Sequence, residues 1–264
     1  MEKSSLTIPL AIIIAGAIIA GALVYSNKNK TVATTTDLTS KKEAIDIKIR
    51  PIDMSDHILG NPDSKVLLVE YSDTQCPFCK IFHVTLNKLA SEYGKDGNFT
   101  WVYRHFPLDS LHKKARKEAE AFECAADLGG NSKFWEYTNK LYETTKSNDN
   151  LDPAELPKIA AAVGLDVKAF NTCLASGKFA TAVDEDTKEA QQNGGTGTPY
   201  SIFILKSDPS KELRDFLESN NAQIMKSYPG SDDFIGISKD NRKIFVSGAM
   251  PYEMMKAIVD LILK

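Results

Sequence analysis

The chain has 264 residues, of which 42% are hydrophobic and 25% are charged. This composition is typical of a globular protein, and the length allows one large domain or one domain with an insertion. The formal net charge is −3 and the lysines are spread along the chain. Because no basic block gathers those charges, we expect no nucleic-acid partner.

The N-terminal end carries an apolar segment without a charge, Leu6 to Tyr25. About 20 helical residues cross the core of a bilayer, so residues 1–25 are predicted to be a transmembrane anchor. The alternative is a cleaved signal peptide, although this stretch exceeds the usual signal core of about 7–15 residues. We expect a single-pass protein of the cell membrane with its folded domain outside the cytoplasm, or a secreted or periplasmic protein if the segment is cleaved.

Residues 26–46 are polar and almost devoid of large apolar side chains. Such a stretch cannot bury enough surface to offset its ordering entropy, which predicts a flexible spacer. The folded domain is then expected over residues 47–264.

The first part of that domain shows a strand, a helix and a second strand. Lys65 to Tyr71 is a short, valine-containing apolar run typical of a buried strand, and Phe99 to His105 is the second strand. The helix between them ends at Gly94. Its apolar side chains recur at helical spacing: Phe82, Leu86, Leu89 and Tyr93. This order predicts a βαβ unit with parallel strands.

The next stretch predicts helices only, over about residues 110–194. Gly129 and Gly130 are expected to end one helix, and Asp152 with Pro153 to begin another. Four or five helices between strands predict an all-helical insertion packed on a sheet.

Strand signals return at Tyr200 to Leu205 and at Lys243 to Val246, and a final helix follows Pro251. One face of that helix is apolar and is expected to lie against the sheet. Residues 206–242, between the two late strands, are polar and form a second insertion to which we assign no structure or role.

Cys76 and Cys79 follow the first strand at the first turn of its helix, with Pro77 and Phe78 between them. A helix N-terminus stabilises a thiolate, so Cys76 is the candidate attacking group and Cys79 the candidate resolving group. A zinc site would need two further ligands at close spacing, and the four histidines show none. We therefore expect neither a metal nor a cofactor; a purely structural disulfide remains an alternative.

Thr198 and Pro199 precede an apolar strand. A cis bond is plausible at such a turn, and an ordinary trans turn is the alternative.

Three runs of sequence resemble the DsbA-like branch of the thioredoxin superfamily: VLLVEYSDTQCPFCKIFH, FPL followed by KEAEAFECAADLGGNSKFWEY, and GGTGTPYSIFIL. The resemblance covers about Asp56 to Lys264. It implies an α/β thioredoxin fold with an all-helical insertion and a protein thiol-disulfide oxidoreductase acting through Cys76 and Cys79. It also implies that Thr198 and Pro199 form a cis-proline loop that binds an extended substrate peptide.

The same resemblance places Glu70 as a buried acid beneath the cysteine pair, where it would take and return the proton of Cys79. The alternative is that Glu70 lies at an exposed end of its strand.

The family resemblance implies an oxidase of exported protein thiols that a membrane redox partner reoxidises. The strongest oxidants of the family carry histidine where Phe78 stands, so we expect a weaker oxidant here. The alternatives are a reductase or isomerase of the same compartment, or a redox-inert peptide-binding or metal-carrier module.

The remaining cysteines, Cys124 and Cys173, lie on apolar faces of predicted helices. An exported protein favours a structural disulfide between them, whereas in a reducing compartment they would be small core residues. A second redox pair is a further alternative.

Overall fold

The computed structural model of the protein describes residues 44–264. The predicted anchor over residues 1–25 and most of the predicted spacer lie outside them. Within the described part of the chain, no helix is both long enough and apolar enough to cross a membrane. Ile47 is buried, and the backbone carbonyl of Ile45 accepts a hydrogen bond from the N–H of Lys239 at 2.9 Å. The fold therefore includes the last residues of the predicted spacer.

Across residues 44–264, six strands form one sheet in the order β1-β3-β2-β4-β6-β5. The strands are β1 (His57–Leu59), β2 (Val66–Ser72), β3 (Phe99–His105), β4 (Tyr200–Ile204), β5 (Ile235–Ile237) and β6 (Lys243–Ser247). The helices are α1 (Pro77–Tyr93), α2 (Ala115–Thr144), α3 (Glu155–Ala162), α4 (Val167–Ser176), α5 (Ala180–Gln192), α6 (Lys211–Ser227) and α7 (Tyr252–Leu263). The parallel β2-α1-β3 unit confirms the predicted βαβ order.

The central strand β2 faces a separate apolar cluster on each side of the sheet. Val66 and Leu68 belong to the cluster beneath α1, α2 and α7, whereas Val69 and Tyr71 belong to the cluster beneath α5. Successive side chains of a strand point to opposite faces, so Glu70 shares the face of Val66 and Leu68. This parity turns the Glu70 carboxyl toward the helix that carries both active-site cysteines.

The helical insertion consists of α2, α3, α4 and α5, in agreement with the four or five helices predicted from the sequence. Gly130 has φ 72°, ψ −173° and breaks α2 in the middle, but the helix resumes directly after it. Helix α3 begins at Glu155, two residues beyond the predicted start, because the Asp152 carboxylate accepts the N–H of Ala154 in a turn that precedes the helix.

The C-terminal part holds elements that the sequence analysis left unassigned. Residues 206–242, predicted only as a polar insertion, contain α6 and the edge strand β5. Helix α6 buries Leu213 and Leu217, and the Ser210 hydroxyl caps it by accepting the N–H of Leu213 at 3.2 Å. Helix α7 buries Met255, Ile258 and Val259, which confirms its predicted apolar face.

Candidate active site

The two cysteines of the CPFC motif lie at the start of α1, after the loop that follows β2. Cys76 is the N-cap of α1 and Pro77 begins the helix, where its missing N–H leaves no hydrogen bond unmade. Both thiols are free; Cys76 retains 4% of its surface exposed and Cys79 none. Cys76 is therefore the cysteine that a second protein can reach.

The surroundings of Cys76 favour its thiolate. A hydrogen bond from the Cys79 side chain is the main cause that lowers the pKa of Cys76 to about 7, against the opposing effect of burial. The charge of Asp73 also opposes ionisation of Cys76. The position at the start of α1 adds the positive end of the helix dipole.

Cys79 experiences the opposite environment. Complete burial raises the pKa of Cys79 well above its usual value, and the hydrogen bond to Cys76 and the charges of Cys76, Glu70 and Asp73 raise it further. The backbone N–H of Asp73 lies 3.4 Å from the Cys79 sulfur. One helical turn thus holds a thiol that ionises easily next to one that keeps its proton.

Glu70 is fully buried, so the alternative of an exposed strand end is wrong. Burial raises the pKa of Glu70 to about 8, against hydrogen bonds from the Ser72 hydroxyl (2.8 Å) and the Trp101 indole N–H (2.9 Å) that favour its charge. The Ser72 hydroxyl also lies 3.1 Å from the hydroxyl of Tyr142, which lies 3.2 Å from that of Tyr103. At neutral pH this carboxyl group holds a proton inside a network of uncharged hydroxyls.

The loop before β4 closes the other side of the site. The Thr198–Pro199 peptide bond is cis. The Cys76 thiol donates a hydrogen bond of 3.4 Å to the carbonyl oxygen of Thr198. Thr198 is half-buried, so the site is partly open beside this contact; Phe78 of the motif is half-buried as well.

Two polar side chains at this site, Asp73 and His112, were not predicted from the sequence. Both oxygens of the Asp73 carboxylate lie within hydrogen-bond distance of N–H groups of the active-site loop and of the segment after β3. Asp73 lies within the quoted CPFC run, and its position three residues before Cys76 is a signal that could have identified it. His112 had no such signal. In the sequence it lies 35 residues beyond the first cysteine of the motif, and only the fold brings it to the site.

Cys124 of α2 and Cys173 of α4 form a disulfide, as the sequence analysis expects of an exported protein. The sulfurs are 2.01 Å apart, the Cα atoms are 5.9 Å apart, and 49 positions separate the two residues along the chain. The disulfide ties two helices of the insertion together and lies apart from the CPFC motif in sequence and in secondary structure.

The fold matches solved structures of DsbA-type proteins. Alpha-DsbA1 of Wolbachia pipientis is 23% identical, with a TM-score of 0.59 over 80% of this chain and 92% of that chain. DsbA2 of Pseudomonas aeruginosa is 20% identical, with a TM-score of 0.56 over 81% and 96% of the two chains. Oxidised BdbD of Bacillus subtilis is 22% identical, with a TM-score of 0.54 over 71% and 100%. These likenesses show a shared fold.

Curated relatives match by sequence over part of their length. The Na(+)/H(+) antiporter NhaA 1 of Mycolicibacterium gilvum is 34% identical over 173 residues, which are 64% of this chain and 27% of the relative. NhaA 3 of Salinispora tropica is 32% identical over 63% of this chain and 24% of its own length. The chain spans about a quarter of the length of the curated relatives it matches.

A family profile described as thioredoxin matches residues 53–209, more than half of the chain. This range includes the CPFC motif, Glu70 and the cis peptide bond. The match agrees with the βαβ unit, the helical insertion and the likeness to DsbA-type structures. The protein belongs to the thioredoxin family, and its fold is similar to those of the DsbA-type proteins.

Proposed function

We propose that the protein is a thiol-disulfide oxidoreductase that acts through Cys76 and Cys79. The observation that carries this proposal is the opposite perturbation of the two thiols within one helical turn. The thiolate is the attacking form of cysteine, and a low thiol pKa makes it available near neutral pH. Family membership supports the same activity.

The reaction exchanges one disulfide bond for another and transfers two electrons. In the oxidising direction, a substrate thiolate attacks the Cys76 sulfur of the Cys76–Cys79 disulfide, and Cys79 leaves as a thiolate. A second substrate thiolate then attacks the substrate sulfur of the mixed disulfide and releases the Cys76 thiolate. The substrate gains a disulfide and loses two electrons, and the protein gains them. A reductase would run the same steps in reverse.

Glu70 is the proposed proton donor and acceptor for Cys79. A thiolate released at Cys79 is fully buried, and because the pKa of Cys79 is raised, the thiolate readily binds a proton. Glu70 holds a proton at neutral pH because burial raises its pKa to about 8, and its charge affects Cys79 directly. Because the pKa of Cys79 is raised above its usual value, proton transfer from Glu70 to the released Cys79 thiolate is favourable, and Glu70 takes the proton back when Cys79 re-forms the disulfide.

Thr198 and Pro199 are the proposed peptide-binding loop. An extended substrate that presents its cysteine to Cys76 passes the Thr198 carbonyl, which lies 3.4 Å from the Cys76 sulfur. Backbone pairing at such a loop tolerates many side chains, which fits an enzyme with several protein substrates.

We propose the oxidase direction, with exported proteins as substrates and a membrane redox partner that reoxidises the enzyme. The Cys124–Cys173 disulfide supports an oxidising compartment outside the cytoplasm, and Leu6 to Tyr25 would anchor the folded domain to the membrane. A disulfide reductase is the second candidate. It is favoured by the Cys76 pKa of about 7, which equals the value of about 7 in thioredoxin.

The redox equilibrium of the protein with glutathione tests both the activity and its direction. A potential above about −200 mV supports the oxidase, and one near about −270 mV supports the reductase. Alkylation and mass spectrometry follow Cys124 and Cys173 separately, so that the measured potential is that of Cys76 and Cys79 alone. Absence of exchange in the native protein, with the same result in Cys76→Ser, would contradict the proposed activity.

A further inference from the structure

The Asp73 carboxylate is a buried junction between the active-site loop and the segment that leads into the helical insertion. Its Oδ1 atom accepts the backbone N–H groups of Gln75 (2.7 Å) and Cys76 (3.1 Å). Its Oδ2 atom accepts the N–H of Leu108 (2.8 Å) and lies 2.9 Å from Nδ1 of His112. The Asp73 side chain has no exposed surface and that of His112 has 8%. The junction is therefore built inside the protein.

The contact with Asp73 fixes the protonation of one ring nitrogen of His112. A carboxylate only accepts hydrogen bonds, so Nδ1 of His112 carries a proton and donates it. Burial opposes a charge on the ring, but the hydrogen bond to Asp73 and the Asp73 charge outweigh it, and the pKa of His112 is raised. The charges of Cys76 and Asp149 act in the same direction.

The groups around the loop are predominantly acidic. Glu118 of α2 accepts both hydrogen bonds of the Gln75 amide, at 2.6 and 2.7 Å, and Asp149 accepts the backbone N–H groups of Lys113 and Lys114. The side chains of the nearby lysines bind backbone carbonyls: Lys80 that of Thr145, Lys114 those of Asp149 and Leu151. Among the described residues, His112 is the basic side chain that contacts Asp73.

We propose that His112 is a positioning residue of the active site. In its doubly protonated form, bound to Asp73, it holds that carboxylate against the N–H groups of Gln75 and Cys76 and offsets its negative charge beside the Cys76 thiolate. The inference rests on the proposed function, because it concerns the thiolate that would attack substrate. Without the His112 charge, Asp73 opposes the thiolate at full strength, which stabilises the disulfide form and weakens the protein as an oxidant.

The test compares two substitutions that separate the hydrogen bond from the charge. His112→Asn keeps a donor for Asp73 and removes the charge, whereas His112→Ala removes both. The rate of Cys76 alkylation by iodoacetamide is measured against pH in the full-length reduced protein, with Cys76 identified by peptide mass spectrometry. We expect its midpoint to rise by about one pH unit in both variants. Lys113→Gln, which removes an adjacent exposed charge, is the matched control and should leave the midpoint unchanged.

A midpoint that stays at the native value in His112→Asn and rises only in His112→Ala would assign a purely structural hydrogen bond and overturn the proposal. Unchanged midpoints in both variants would overturn it as well. The glutathione equilibrium at pH 8 should shift roughly five-fold toward the disulfide form when the thiolate pKa rises by one unit.

The native protein gives an independent measurement that needs no variant to fold. The pKa of His112, followed by NMR, should fall when Cys76 and Cys79 are oxidised, because the Cys76 charge that raises it disappears. An equal His112 pKa in both redox states would refute the coupling. Absence of glutathione exchange in the native protein would instead refute the proposed function, so the two failures are distinguishable.

Discussion

Replacement of Glu70 by glutamine should stabilise the protein, and increasingly so as the pH rises. Burial raises the pKa of Glu70 from 4.5 to about 8, so between these values the folded state holds a proton that the unfolded state has lost. Stability falls with pH wherever the folded state binds more protons. The Glu70 contribution is therefore absent below about pH 4.5 and destabilising across the window from 4.5 to 8.

The size of the effect follows from the width of this window. Each pH unit costs about 1.4 kcal/mol once the unfolded carboxyl is ionised and the folded one is not. Glu70 is fully buried, so solvent screening does not reduce the figure. The cost relative to a neutral isostere is about 1 kcal/mol at pH 5 and about 3 kcal/mol at pH 7. Glutamine fits because it can still accept the Trp101 N–H and bond to the Ser72 hydroxyl.

The assay is urea unfolding of the native protein and Glu70→Gln at pH 5, 6 and 7, followed by circular dichroism with linear extrapolation. Both proteins are compared in the same redox state, and alkylation verifies that the Cys124–Cys173 disulfide stays intact. Glu185→Gln, at an exposed position of α5, is the control and should show no pH-dependent gain. A difference between Glu70→Gln and native protein that does not change with pH would refute the protonated, buried carboxyl.

Three further outcomes follow from the same geometry. The double variant Cys124→Ala, Cys173→Ala should lose on the order of 4 kcal/mol of unfolding free energy, since the disulfide closes a loop of about 50 residues; an unchanged urea midpoint would contradict this. Cys79→Ser should accumulate mixed disulfides at Cys76 with a disulfide substrate, from which the Cys76 thiolate expels one thiolate, detected by non-reducing electrophoresis; accumulation in Cys76→Ser instead would reverse the assigned roles. Alkylation of native Cys76 should have its midpoint near pH 7, and a midpoint near 9 would show that its thiolate is not stabilised.

The elements nearest the active site were predictable because their signals are local. The valine-rich run of β2 and the helical spacing of apolar residues in α1 each determine one element, and the order strand-helix-strand determines their parallel packing. The strands β1 and β5 have three residues each, too few to show an alternation of apolar and polar side chains. They form because they pair with the neighbouring strands of the sheet. Helix α6 did carry a signal, a Ser210 cap followed by apolar residues at helical spacing, but the polar composition of the segment obscured it.

The candidate site divides in the same way. Cys76, Cys79 and Glu70 were predictable because a motif, or a charge inside an apolar strand, marks each of them in a short stretch of sequence. His112 contacts Asp73 from 39 positions away, and that contact exists only because the turn after β3 returns over the active-site loop. Patterns of spacing along the chain contain no information on such a pair; only the packed fold brings the two side chains together.

The two acidic side chains next to the cysteine pair illustrate how position within one strand and loop determines chemistry. Glu70 lies inside β2, where the backbone N–H groups are used in sheet pairing, so its carboxyl meets only the Ser72 hydroxyl and the Trp101 indole. Asp73 lies just beyond the end of β2, where its carboxylate accepts two N–H groups of the loop and that of Leu108 after β3, and pairs with His112. The first arrangement favours a carboxyl that holds a proton for Cys79. The second provides a fixed acceptor that orders the loop around Cys76, at an electrostatic cost to the thiolate that His112 offsets.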